Sequence, residues 1–200
     1  MKNATKHADQ LKSLYKKLAK EHKAPPITPL PAVQALVRGA MSYDVSDSRA
    51  DEAMKAIERE FVDLNELRVA TDLEVQALLG QRYPLIEKRV SMITMALNNI
   101  FEREHTLNLE RLKDVSKRDA RQFLRELPDL HPFVDAYVMM MSYDGHAFPI
   151  DDETLAFLVE EEILDEGTSL ADGQKFVEHH LKADECYELF YALRNSKKKK

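Results

Sequence analysis

Apolar positions recur at helical spacing along most of this chain. Between residues 4 and 22, Leu11, Leu14, Tyr15 and Leu18 make one stripe on a lysine-rich segment, which predicts an amphipathic helix. The next stretch, Ala24-Pro25-Pro26-Ile27-Thr28-Pro29-Leu30-Pro31, cannot continue it, because proline removes amide donors and restrains the residue before it. It reads as a linker laid against the body. A short apolar helix over 32–40, a long one ending near Phe61, and further helices at about 71–79, 84–103 and 116–126 follow.

Between Arg121 and Thr154 the pattern changes character. An amphipathic run carrying Phe123, Leu124 and Leu127 stops at Pro128, a turn follows, and a second run opens at Pro132, a residue suited to the first position of a helix. This is a helix-hairpin-helix signature over 121–143. Its second helix, Phe133 to Met141, is apolar on nearly every side and is expected at the centre of the core, with Met139, Met140 and Met141 as filling. Tyr143-Asp144-Gly145-His146 reads as a turn, and Phe148-Pro149-Ile150 then delivers Asp151 and Asp152 to the start of another helix. Acidic helices at 152–164 and 169–182, separated by the start signal Gly167-Thr168-Ser169, and a last helix at 184–195 close the chain.

Composition narrows this to an all-α protein: 5 glycines and no tryptophan in 200 residues, with abundant Ala, Leu, Glu and Lys. No apolar run approaches the roughly 20 residues a membrane span needs, and the N-terminus lacks the apolar core of a secretory signal, so a soluble cytoplasmic protein with no membrane partner is expected. The single cysteine, Cys186, excludes an internal disulfide and an all-cysteine metal site within one chain. The net charge of -6 hides an asymmetry. From Met1 to Ala24 seven lysines face Asp9 and Glu21, a net of +5; from Asp151 to Leu189 thirteen acids face Lys175 and Lys182, a net of -11. A polyanion is drawn to the first stretch and repelled by the second, which suits a basic protein instead. The closing Lys197–Lys200 run adds a second lysine-rich terminus for a phosphate backbone. His179-His180 with Asp184, Glu185 and Cys186 reads as surface residues rather than a metal site, since adjacent residues on a helix point about 100° apart.

The frame Leu127-Pro128, an apolar helix and a short loop ending in apolar-Asp resembles the HhH-GPD superfamily of DNA glycosylases, the endonuclease III branch in particular. In that family the hairpin leads to a catalytic lysine, with a catalytic aspartate eighteen residues later; here those positions fall on Phe133 and Asp151. The stretch Leu36-Val37-Arg38-Gly39-Ala40-Met41-Ser42-Tyr43-Asp44-Val45 is similar to the family segment whose glutamine enters the duplex gap, with Met41 at the glutamine and Asp44 at the family aspartate. Leu78-Leu79-Gly80 and the run from Tyr83 to Ile93 place Lys88 or Arg89 near the usual basic position. The resemblance therefore implies a two-lobed fold, with 1–24 and 146–200 forming one lobe and 25–145 the six-helix lobe, a cleft between them, and double-stranded DNA as partner. Met41, Asp44, Lys88 and Arg89 are the residues expected to face DNA.

Half of the family chemistry has no counterpart. A bifunctional glycosylase attacks the sugar with an amine, and Phe133 has none, so abasic-site lyase activity is not expected. The resemblance would place four spaced cysteines after the helix over 185–194, but lysines follow it, so no cofactor and no iron–sulfur cluster are expected. Asp151 has two readings: the carboxylate of a monofunctional glycosylase, stabilising an oxocarbenium-like centre or orienting water, or a helix cap. Met41 likewise reads as an apolar wedge or as core. In the hairpin, Asp129 and His131 occupy the two family glycine positions, Pro132 removes an amide and Asp135 adds negative charge, so a weakened phosphate grip is expected. Three functions follow: a divergent endonuclease III-like DNA-repair protein without lyase chemistry, a monofunctional glycosylase using Asp151, or a non-catalytic module binding a basic partner through its acidic face.

Overall fold

The structure, a computed structural model, describes residues 4–196; the expected role of Lys197–Lys200 falls outside them. Among the described residues there are eleven α-helices and no strand: α1 (Ala4–Glu21), α2 (Ala32–Ser42), α3 (Asp47–Glu60), α4 (Leu64–Val69), α5 (Asp72–Leu79), α6 (Ile86–Glu104), α7 (Lys117–Arg125), α8 (Pro132–Ser142), α9 (Asp152–Glu160), α10 (Leu170–His180) and α11 (Ala183–Ser196), with a 3-10 turn at Glu110–Lys113. Side-chain caps account for most of the starts. Ser46, Asp63, Ser116, Asp151 and Ser169 each accept from a first-turn amide, and Thr71 with Glu74 forms a reciprocal capping box.

Two boundaries differ from the sequence expectation. The six-residue α4 went unread because one and a half turns carry no measurable periodicity; Asp63, accepting from Asn65 and Glu66, makes it. Helix α9 stops at Glu160 rather than 164, because Glu162 turns left-handed (φ 56°) and the amides of Ile163 and Leu164 both bond back to the Leu158 carbonyl, closing the end as a Schellman-type motif does.

The apolar side chains form two clusters. One gathers α2 to α8 around Leu36, Met41, Ile93, Leu97, Phe133 and Val134; the other joins Leu11, Leu14 and Leu18 of α1 to Phe148, Ile150, Leu158, Val177 and Leu189. Helix α8 runs through the centre, with nine of its eleven residues buried. Gly39 lets α2 lie against it: a Cβ there would stand 3.2 Å from Tyr137 Cδ1. The linker is pinned where the Leu30 amide donates to the Met141 carbonyl at 3.1 Å. No helix among the described residues is long and apolar enough to cross a membrane.

Candidate functional site

Asp151 ends the buried Ala147–Ile150 segment and is itself 1% exposed. Its Oδ1 accepts from the Thr154 amide at 2.9 Å, capping α9, while its Oδ2 accepts from the Asp44 amide at 3.0 Å. The exchange is reciprocal, since Asp44 Oδ1 accepts from the Glu153 amide at 3.2 Å. Asp44 makes this contact from a left-handed backbone (φ 50°), a conformation that aspartate tolerates better than most residues. The α2–α3 turn and the start of α9 are thereby clasped to each other.

A third element joins them from the end of the chain. Arg194 of α11 donates Nε to Asp47 Oδ1 at 2.6 Å and Nη2 to the carbonyls of Ser42 and Val45, and its Nη1 lies 3.6 Å from Asp151 Oδ2. Burial pushes the Asp151 carboxyl up, but the hydrogen bonds from Thr154 and Asp44 and the Arg194 charge outweigh it and hold the group below its ordinary value. At Asp44 burial wins, and with the neighbouring carboxylates it raises that group despite the Glu153 hydrogen bond. Arg194 is a residue that sequence reasoning missed. A contact between α11 and a loop so distant in sequence leaves no local pattern.

Beside the clasp lies an aromatic wall. Tyr43 is 1% exposed; the His131 ring stacks on it (4.3 Å between centroids, 1° between planes), and the Arg89 guanidinium sits over it at 3.7 Å. Phe133 is fully buried, with ring centroids 6.0 to 6.3 Å from those of Tyr137, Phe190 and Tyr43. It is packed as core and presents nothing to a substrate. Between α6 and the hairpin an open hollow of about 520 Å³ is lined by Tyr43, Lys88, Ser91, Met95, Leu130 and His131, among others.

Two of the four residues expected at a DNA face stand elsewhere. Met41 is 0% exposed and belongs to the core gathered by α2 to α8, so its wedge reading is overturned: a side chain packed on all sides has no path to a duplex. Arg89 is equally buried, its guanidinium spent on the carbonyls of Pro84, Ala40 and Tyr43. It braces the α2–α3 turn and offers no donor to a phosphate. Lys88 is exposed at the rim of the hollow, and Asp44 takes part in the clasp. A residue not singled out from sequence, Leu85, stands 55% exposed at φ 53° three positions before Lys88.

The hairpin has also been rebuilt. Asp129 keeps the left-handed conformation (φ 51°) that a glycine would favour. His131 caps α8 through its own ring, Nδ1 accepting from the Phe133 amide at 3.1 Å, and its carbonyl takes the amides of Val134 and Asp135. Burial, then Lys88, lowers the His131 pKa, consistent with a ring nitrogen acting as acceptor. With those amides satisfied internally, the helix start has little left for an anion. Asp135, expected to bring negative charge to the helix start, is 3% exposed and held by Arg121 (3.1 Å) and Arg125 (3.0 Å).

No protein-family model and no curated protein sequence matches the chain. Solved structures do. An 8-oxoguanine glycosylase/lyase from Clostridium acetobutylicum, in complex with duplex DNA, superposes with a TM-score of 0.74 at 15% identity, over 98% of this chain and 70% of that one. A trapped endonuclease III–DNA covalent intermediate gives 0.71 at 11%, over 93% and 84%. A 3-methyladenine DNA glycosylase from H. pylori gives 0.65 at 13%, over 97% and 98%. The fold is that of the HhH-GPD DNA glycosylases. It is all-α, with the helix-hairpin-helix formed by α7 and α8. On the HhH-GPD frame Cys186 lies buried within α11, where burial pushes its thiol up to about 12. A single thiol held protonated does not fit the thiolate set of an iron–sulfur cluster. His179 and His180 form no metal-ligating group among the described residues.

Proposed function

We propose that this chain is a divergent endonuclease III-like protein of the base-excision repair superfamily that engages duplex DNA and lacks abasic-site lyase chemistry. The observation that carries this reading is the pairing of a buried Phe133 with an ionised Asp151 on an HhH-GPD frame. A Schiff base needs an amine, and the side chain beside Asp151 is instead the guanidinium of Arg194, which is not an amine nucleophile. The one cysteine among these 200 residues is too few to ligate an iron–sulfur cluster. DNA engagement is supported by the similar folds captured on DNA, one of them on duplex DNA, and on this chain by Lys88 beside Tyr43 and His131 and by the exposed Leu85 three residues before it. Lys88 offers charge to a phosphate and Leu85 an apolar contact to an unstacked base step, the roles that Arg89 and Met41 cannot take.

A second reading, a monofunctional glycosylase, is favoured by the charge state of Asp151: a carboxylate kept ionised is what an oxocarbenium-like centre requires. The two are separated by measuring binding and base release on duplexes carrying an abasic-site analogue or a damaged base, against undamaged duplex, through a salt series. Binding that prefers the lesion at raised salt, without base release, supports the first reading. Base release abolished by Asp151→Asn establishes the second. Absence of both lesion preference and base release overturns the DNA reading.

A further inference from the structure

The seam between the two apolar clusters opens at both ends of α11. At one end Arg194 meets Asp151. At the other, a groove of about 720 Å³ runs between the proline linker and the first turns of α11. Asp184 and Arg194 are ten residues apart on this helix, about 15 Å along its axis, so the groove is separate from the Asp151 site.

Ile27, Met140 and Tyr187 give the groove an apolar lining, and Asp144, Asp184 and Glu188 stand around it against one lysine, Lys23. Asp144 and Asp184 have no ion-pair partner among the described residues, and Glu188 accepts only a hydrogen bond, from the Tyr15 hydroxyl at 2.5 Å. Three carboxylates therefore face a single lysine, in a lobe that already carries the -11 stretch. A second hollow of about 430 Å³ adjoins the first, sharing Ile27, Met140 and Asp144; its two lysines are engaged, Lys113 by Glu110 and Lys117 by the Tyr143 carbonyl.

We propose that this groove docks an extended basic segment of a partner protein, with lysine or arginine side chains among Asp144, Asp184 and Glu188 and its apolar residues on Ile27, Met140 and Tyr187. The charge excludes a nucleic acid from the same place. Tyr187 adds a ring face for a cation. Docking here leaves the Asp151 face free, so the inference stands whether or not the chain binds DNA.

The test is fluorescence anisotropy of the full chain with a labelled eight-residue peptide of alternating lysine and leucine, compared with a glutamate–leucine peptide of the same length. The lysine peptide is expected to bind and the glutamate peptide not. The double variant Asp144→Asn/Asp184→Asn is expected to weaken binding about tenfold. Glu160→Gln/Glu166→Gln, which removes equal charge elsewhere on the lobe, is expected to leave it within about twofold. Thermal melts by circular dichroism check that each variant is folded. Equal losses from the two double variants, no preference for the lysine peptide, or a duplex-DNA affinity that depends on Asp144 and Asp184 would each overturn the proposal.

Discussion

Phe133 and Asp151 show how one frame can be kept while its chemistry changes. Placing a lysine at 133 would set an ammonium among the rings of Tyr43, Tyr137 and Phe190. Phe133→Lys should therefore lower stability by about 4 kcal/mol in urea denaturation, and it should yield no borohydride-trapped adduct with abasic DNA; a trapped adduct would show that the site needs only its amine. Asp151 makes a pH prediction. Its folded pKa is depressed, so its contribution to stability is present above the unfolded value of about 4 and is lost as pH falls through the lower folded value. Asp44 acts in the opposite sense: its raised pKa means that protonation favours the folded state, and stability is lost as pH rises through it. Asp151→Asn should cost about 2 kcal/mol at neutral pH and flatten the acid limb of the stability curve; an unchanged acid limb would mean that other carboxylates carry it. Thr154 is three residues away, so the capping half of this site was legible in the sequence. The halves supplied by Asp44 and Arg194 were not.

At the scale of elements, α7, α8 and α10 are tied by one polar network. Arg121 donates to Asp135 and, in a fork, to both oxygens of Glu178 (3.0 and 2.9 Å), and Glu178 Oε1 also accepts the Phe148 amide at 3.0 Å. Arg121 and Glu178 are about one-sixth exposed and Asp135 almost not at all. Removing the shared cation leaves two buried carboxylates short of a partner, so Arg121→Met is expected to lower stability by about 3 kcal/mol. Arg125, half-exposed, meets only Asp135 among the described residues, and Arg125→Met should cost under about 1 kcal/mol. Equal effects in urea titrations would show that the network does not bridge the lobes energetically. The inward turn of Asp135 also explains why the hairpin persists as structure while its helix start has been capped by His131.

For the whole molecule, charge is divided between faces rather than summed. If Lys88 is the phosphate contact, Lys88→Ala should weaken duplex binding evenly across sequences and make the slope of log K against log salt shallower by about 1; titration at several salt concentrations reads this, and an unchanged slope would move the contact to the lysines of α1. The helices, the proline linker, the central hairpin and the apolar α8 were legible in the chain because each is written locally, in period, caps and proline positions. The spacing from Phe133 to Asp151 was likewise a local count, and it pointed to the right fold. Burial was not local: in the sequence Met41 reads as wedge or core and Arg89 as a basic contact, and only the packing of α2 against α8, with Tyr43 beneath His131, shows that both are enclosed. The same holds for Arg194 beside Asp151 and for the groove under the linker. These are meetings of segments far apart along the chain, decided by which faces pack together, and no stretch of sequence carries that by itself.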